Sequence, residues 1–161
     1  MDVATTYLRA GRYDEALAAV NRVLEVDPHY ALAHATLGWA HLLGGRPQPG
    51  IAALERAVSL APETTLFLGQ LGQAYARVGQ PDKAREVLRQ MEEMAKQRYV
   101  SPYHMAYVHT GLGEYDLAMD WLERAYEQRA GAVFGIKGSF LFTPLRSHPR
   151  FQALLKKMNL A

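Results

Sequence analysis

The sequence predicts an all-α solenoid of four antiparallel helix hairpins closed by a C-terminal helix, and three observations carry that prediction. Glycines recur at a spacing of 34 residues, at Gly11, Gly45, Gly79 and Gly113. Residues at fixed offsets from those glycines share size and polarity. Near the end, Phe151, Leu154, Leu155 and Met158 fall at i, i+3, i+4 and i+7, the single apolar stripe of one more helix. A fixed period of this length is the signature of a stacked-repeat architecture, in which no unit buries its apolar face alone.

Each column of the repeat has a physical reason. Eight residues before the glycines stand Val3, Leu37, Leu71 and Met105, and four before them the rings Tyr7, His41, Tyr75 and His109. That helical spacing gives the first helix of each hairpin one apolar face. Seven before are Ala4, Gly38, Gly72 and Ala106, and five after are Ala16, Gly50, Ala84 and Ala118, small in every case. Small residues let two helix axes come close, where a bulkier side chain would hold them apart. Nine after come Val20, Leu54, Leu88 and Leu122, the core positions of the second helix. The glycine itself ends the first helix, because a left-handed backbone costs it little.

The turns follow as Arg12-Tyr13-Asp14, Arg46-Pro47-Gln48, Gln80-Pro81-Asp82 and Glu114-Tyr115-Asp116. Pro28 and Pro62 stop the second helices of the first two hairpins. Lys96 and Ala130 stand at the equivalent places in the third and fourth, so those helices are expected to end differently. The stretch from Met91 to Arg98 reads as continuous helix, and Ser101-Pro102 opens the next element.

This pattern resembles the tetratricopeptide repeat family: a bulky residue, Leu-Gly, an aromatic, an alanine, a further apolar position and a proline. The second copy matches through His34, Leu37-Gly38, His41, Gly50, Leu54, Ala57 and Pro62, and the third through Leu68, Leu71-Gly72, Tyr75, Ala84, Leu88 and Met91. The first matches mainly through Tyr7, Ala16, Val20 and Pro28, the fourth through His109, Ala118, Leu122 and Ala125. The resemblance implies a right-handed superhelix over residues 1–130, with residues 131–161 forming a connecting segment and capping helix of the same domain.

Only ten residues precede Gly11, against about fourteen in the other copies, so the first helix is expected to lack its opening turn. Val3, Tyr7 and Leu8 give it little of the polar outer face usual at the end of an array. An upstream repeat or a larger parent chain is the expectation. The tail, with Pro144-Leu145-Arg146-Ser147-His148-Pro149-Arg150-Phe151 and then Leu154-Leu155-Lys156-Lys157-Met158, resembles the segment closing such arrays in bacterial multidomain signalling proteins. Those proteins often carry a protein kinase or a winged-helix DNA-binding domain ahead of the array. Pro149 suits a first helical position, with Ser147 or His148 as cap, and Lys156 and Lys157 suit a last turn.

Composition narrows the function. At 161 residues, 49% hydrophobic and 21% charged, the chain can bury a core as one domain. Its 18 basic and 16 acidic residues interleave to a net charge of +2, without the concentrated basic face of a nucleic-acid binder. No apolar run is long enough to cross a membrane, and the first residues lack a secretory pattern. The absence of cysteine excludes disulfides and thiolate sites and fits a reducing compartment, so the chain is read as cytoplasmic.

No catalytic, cofactor or metal site is expected. Residues 131–139 have glycines around Lys137 and Ser139, but Gly138 separates the lysine from the serine and no strand precedes them, so they read as a connecting loop. His41 and His109 belong to a packing column, His34 and His41 lie two turns apart, and His104 and His109 point about 140° apart at the helical period. His29 and His148 sit at helix boundaries, and no His-x-x-x-His pair occurs. Ser59, Ser101, Ser139 and Ser147 have no distinctive setting, and carboxylates such as Asp14-Glu15 and Glu92-Glu93 read as solvated faces.

What remains is the inner face, lined in this family by the first helix of each hairpin. The columns there hold Thr5, Trp39, Gln73 and Tyr107; Asp2, Thr36, Gln70 and His104; and Arg9, Leu43, Arg77 and Gly111. The expected partner-binding groove is therefore Thr5, Arg9, Thr36, Trp39, Gln70, Gln73, Arg77, His104 and Tyr107. Rings such as Trp39 and Tyr107 anchor apolar side chains, amides such as Gln70 and Gln73 meet a peptide backbone, and Arg77 meets a carboxylate. One subset of the family grips chaperone tails with Lys and Asn. Those columns here hold Ala35, Gly69 and Tyr103, then Trp39, Gln73 and Tyr107, so chaperone-tail binding is not expected. The reading is a protein-interaction module binding a peptide or helix, with self-association through the N-terminal edge as the alternative.

Overall fold

The four hinge glycines take φ of 72° at Gly11, 76° at Gly45, 81° at Gly79 and 74° at Gly113, the left-handed conformation that lets a helix stop and reverse without strain. They come from a computed structural model that describes residues 2–161, Met1 lying outside the described residues. Hairpins form on either side of each glycine: α1 Asp2–Arg9 with α2 Tyr13–Val26, α3 Ala31–Leu43 with α4 Pro47–Leu60, α5 Thr65–Arg77 with α6 Pro81–Ala95, and α7 Pro102–Gly111 with α8 Tyr115–Glu127. Two 3-10 segments, Gly131–Gly138 and Phe140–Leu145, lead to α9, Pro149–Lys157. Among the described residues there is no strand, and the helices pack in neighbouring pairs as a solenoid requires.

The small columns sit where helices touch. A Cβ added to Gly38 would lie 2.9 Å from the Gly50 carbonyl oxygen, and one added to Gly50 would lie 3.0 Å from that of Gly38. The two glycines therefore put α3 and α4 in near backbone contact. Ala16, Ala84 and Ala118 are fully buried at the matching places in the other hairpins. Between hairpins the tightest approach is at Gly69 on α5, where a Cβ would stand 2.6 Å from the His104 carbonyl oxygen on α7.

One continuous core then runs from Leu8 through Leu54, Leu88 and Leu122 to Phe151 and Leu155. A smaller cluster of Ala4, Ala19, Val20 and Ala33 joins the first hairpin to the second. The apolar stripe of α9 is buried, with Phe151 2%, Leu154 4% and Leu155 7% exposed. Arg150 fastens that helix to α8 through two bonds to Glu123, at 3.0 and 2.8 Å, and one of 2.7 Å to Asp120.

Two local expectations change. α6 ends at Ala95 instead of continuing to Arg98, its last turn closing with Lys96, Gln97 and Arg98 donating to carbonyls of Glu93 and Met94. Residues 131–138, read as a loop, wind into 3-10 turns that bury Val133 and Ile136. His148 is the residue capping α9, and its side chain makes no capping bond.

Candidate functional site

Three of the inner-face residues expected to meet a partner are covered by the chain itself. Trp39, Gln73 and Tyr107, on α3, α5 and α7, are 3%, 6% and 5% exposed. What covers them is the second 3-10 segment. Phe140 meets Trp39 edge-on at 5.6 Å between ring centroids. Phe142 stacks on Tyr107 at 5.1 Å and meets Tyr103 edge-on at 5.1 Å. Between the two rings, the Gln73 side-chain amide donates to the Leu141 carbonyl oxygen at 2.7 Å.

This is how a groove holds a peptide: two aromatic anchors in pockets and a side-chain amide on the intervening backbone. Here the peptide belongs to the same chain. The acceptor oxygen of that amide, Gln73 Oε1, is buried without a protein partner. Trp39 Nε1 donates to Gln70 Oε1 at 3.1 Å, which joins α3 to α5 and fixes the indole.

The other expected residues divide. Thr36 is buried and donates to the Leu32 carbonyl oxygen of its own helix at 2.9 Å, so its hydroxyl is already used. His104 is hydrogen-bonded through Nδ1 to the Thr65 hydroxyl at 2.8 Å and stacks on Tyr107. Burial pushes its pKa down to about 4, so the ring is neutral at physiological pH. Burial also raises the phenols of Tyr103 and, much further, Tyr107, which stay protonated. Thr5 is half-buried on α1. Arg9 and Arg77 are exposed.

Beside the covered stretch a cavity of about 690 Å³ remains open between α1, α3, α5 and residues 140–146. Its apolar wall is Leu8, Trp39, Leu43, Phe140 and Leu141, and its charged groups are Arg9, Arg77 and Arg146. The volume lies in the range of ligand-binding clefts. Of the nine residues expected at the groove, Arg9, Trp39, Gln73 and Arg77 line this cavity, while Thr5, Thr36, Gln70, His104 and Tyr107 do not. Sequence reasoning did not find Tyr13, Tyr115, Phe140, Leu141 or Arg146, which also line it. The one signal for them was the apolar run Phe140-Leu141-Phe142, which has no repeat period to place it.

Tetratricopeptide repeat models match residues 2–64, 66–90 and 103–130. The chain belongs to the tetratricopeptide repeat family. Together the matches reach into all four hairpins and stop where the 3-10 segments begin. Among curated proteins, none matches the chain. Tetratricopeptide repeats serve in general as protein-interaction modules, and this chain presents their inner face partly filled. Among the described residues no group of three or more potential ligands could hold a metal, and no helix is long and apolar enough to cross a membrane.

Proposed function

We propose that this tetratricopeptide array binds a partner protein through the part of its inner face that its own tail leaves open. The observation that carries the reading is the cavity between α1, α3, α5 and residues 140–146, an apolar wall faced by exposed charged side chains. A stretch of partner chain entering it would bury apolar side chains against Trp39, Leu43 and Phe140, the ring-rich environment in which interface energy concentrates. The rest of the groove works as scaffold. Phe142 and Leu141 occupy the places a longer peptide would take, so the partner segment is short. The resemblance of the tail to closing segments of bacterial signalling proteins supports a signalling setting for this interaction.

The test is photo-crosslinking in the cell of origin from a benzophenone side chain placed at Leu43 or Arg77, with Glu86 on the outer helix α6 as control. The reading expects the same partner from both inner positions and little from Glu86. A partner recovered from Glu86 and from neither inner position would refute it.

One observation favours a second reading. Val3 and Val26 are 60% and 87% exposed at the first hairpin, beside a shallow apolar hollow of Ala4, Ala19 and Val23. Self-association through that edge would cover it. Sedimentation over a range of concentrations separates the two, since only this second reading makes the mass rise and a Val26→Glu substitution reverse the rise.

A further inference from the structure

We propose that the open cavity is selective for an acidic segment, and that the chain's own tail is a working wall of the site, not a plug. The inference rests on the inner-face reading above and names the chemistry of the partner. It starts from how the arginines are used. Arg12 pairs with Glu15, Arg46 with Asp14, Arg85 with Glu114, Arg98 with Glu63 and Arg150 with Asp120 and Glu123. Arg9, Arg22, Arg56, Arg77, Arg124, Arg129 and Arg146 make no such pair among the described residues, and of these Arg9, Arg77 and Arg146 line the cavity. No aspartate or glutamate lines it.

The three come from distant parts of the sequence: the last turn of α1, the last turn of α5, and the residue following the second 3-10 segment. Three like charges converging on one apolar-walled hollow repel one another, and an incoming carboxylate relieves that repulsion. Guanidinium groups hold carboxylates through paired parallel hydrogen bonds, which a neutral side chain cannot reproduce. The apolar wall of Leu8, Leu43, Trp39 and Phe140 then takes a neighbouring aliphatic or aromatic side chain. An acidic peptide with interspersed apolar residues matches both features.

The tail supplies Arg146 and Phe140, so the site is whole only while residues 140–146 are docked. Phe142 and Leu141 help hold it there: Phe142 lies fully buried against Tyr103 and Tyr107, and the Gln73 side-chain amide donates to the Leu141 carbonyl oxygen at 2.7 Å. The tail thus shapes the ligand's pocket on one side while α1, α3 and α5 shape it on the other.

The experiment is fluorescence anisotropy with a labelled short peptide of alternating Glu, Leu and Phe, its counterpart with every Glu replaced by Gln, and a single-stranded oligonucleotide. The proposal expects the Glu peptide to bind at least about tenfold tighter than the Gln peptide, with affinity falling as salt rises. Arg9→Gln, Arg77→Gln and Arg146→Gln should each weaken it about tenfold, the loss of one charged hydrogen-bonded pair. The double change Lys156→Gln and Lys157→Gln on α9 should leave it unchanged. All these side chains are exposed, and circular dichroism checks that the variants fold. Equal binding of the Glu and Gln peptides overturns the acidic preference while leaving an inner-face site standing. Glu-peptide binding indifferent to all three arginines overturns the site. Tighter, arginine-dependent binding of the oligonucleotide, or no binding of the Glu peptide at low salt, overturns the choice of ligand, and the crosslinking experiment decides the inner-face reading separately.

Discussion

Replacing Phe142 with alanine removes the ring that holds the tail in the groove, and its cost follows from two features of the structure. The side chain is fully buried, so its transfer from water contributes about 1.5–3 kcal/mol. It also makes two ring contacts at 5.1 Å, with Tyr103 and Tyr107, each worth about 0.5–1.5 kcal/mol beyond area. The sum, about 2.5–6 kcal/mol, brackets the roughly 3–5 kcal/mol measured for large-to-small aromatic substitutions in cores. For a domain of this size that lowers the melting temperature by about 10 °C. Urea unfolding followed by circular dichroism reads the change, with Phe134→Ala as control because Phe134 is 63% exposed and should shift stability by about 0.5 kcal/mol or less. A Phe142→Ala midpoint within about 1 kcal/mol of wild type, at unchanged slope, would refute the docked tail. The groove would then be open, and the three-arginine pocket would lose one wall.

Other expectations are independent of the tail's docking. Ala84→Leu and Ala118→Leu force a bulky side chain into fully buried helix contacts and should each cost about 1–3 kcal/mol, so unchanged denaturation midpoints would show the helix contacts misplaced. Deleting residues 145–161 removes the buried stripe of Phe151, Leu154 and Leu155, and in a solenoid that bares the preceding hairpin. A melting temperature within a degree or two of the full chain would remove α9 from its capping role. The His104 ring predicts a pH effect of known sign. Its folded pKa, near 4, lies below the ordinary value of 6.5, so the unfolded chain binds the proton first. Stability is full above about pH 6.5 and falls as the pH drops toward 4, by up to about 3 kcal/mol from this residue. His41, also lowered by burial and by Arg46, adds in the same direction. Comparing wild type with His104→Gln from pH 7 to 4 isolates the effect, and parallel curves would refute it.

The hairpin array was legible in the sequence because every determinant of it is local and repeated. Hinge glycines, small contact positions and large core residues recur at a fixed spacing, and the columns 34 residues apart align them without reference to any distant contact. The tetratricopeptide matches cover that same region. Even the inner-face columns follow from the repeat, because the side chains of successive first helices point the same way. The state of that face did not follow. Whether Trp39, Gln73 and Tyr107 meet solvent, a partner or the chain's own tail depends on residues 140–142, which lie 35 to 101 positions away and have no period. A 3-10 segment carries no amphipathic signature to announce which face it buries. The open pocket is more remote still. Arg9, Arg77 and Arg146 are unremarkable in sequence, and what gathers them is the packing of successive hairpins together with the path of the returning tail. Local periodicity thus determined the hairpins, and tertiary packing decided which inner surface stays available and what charge it carries.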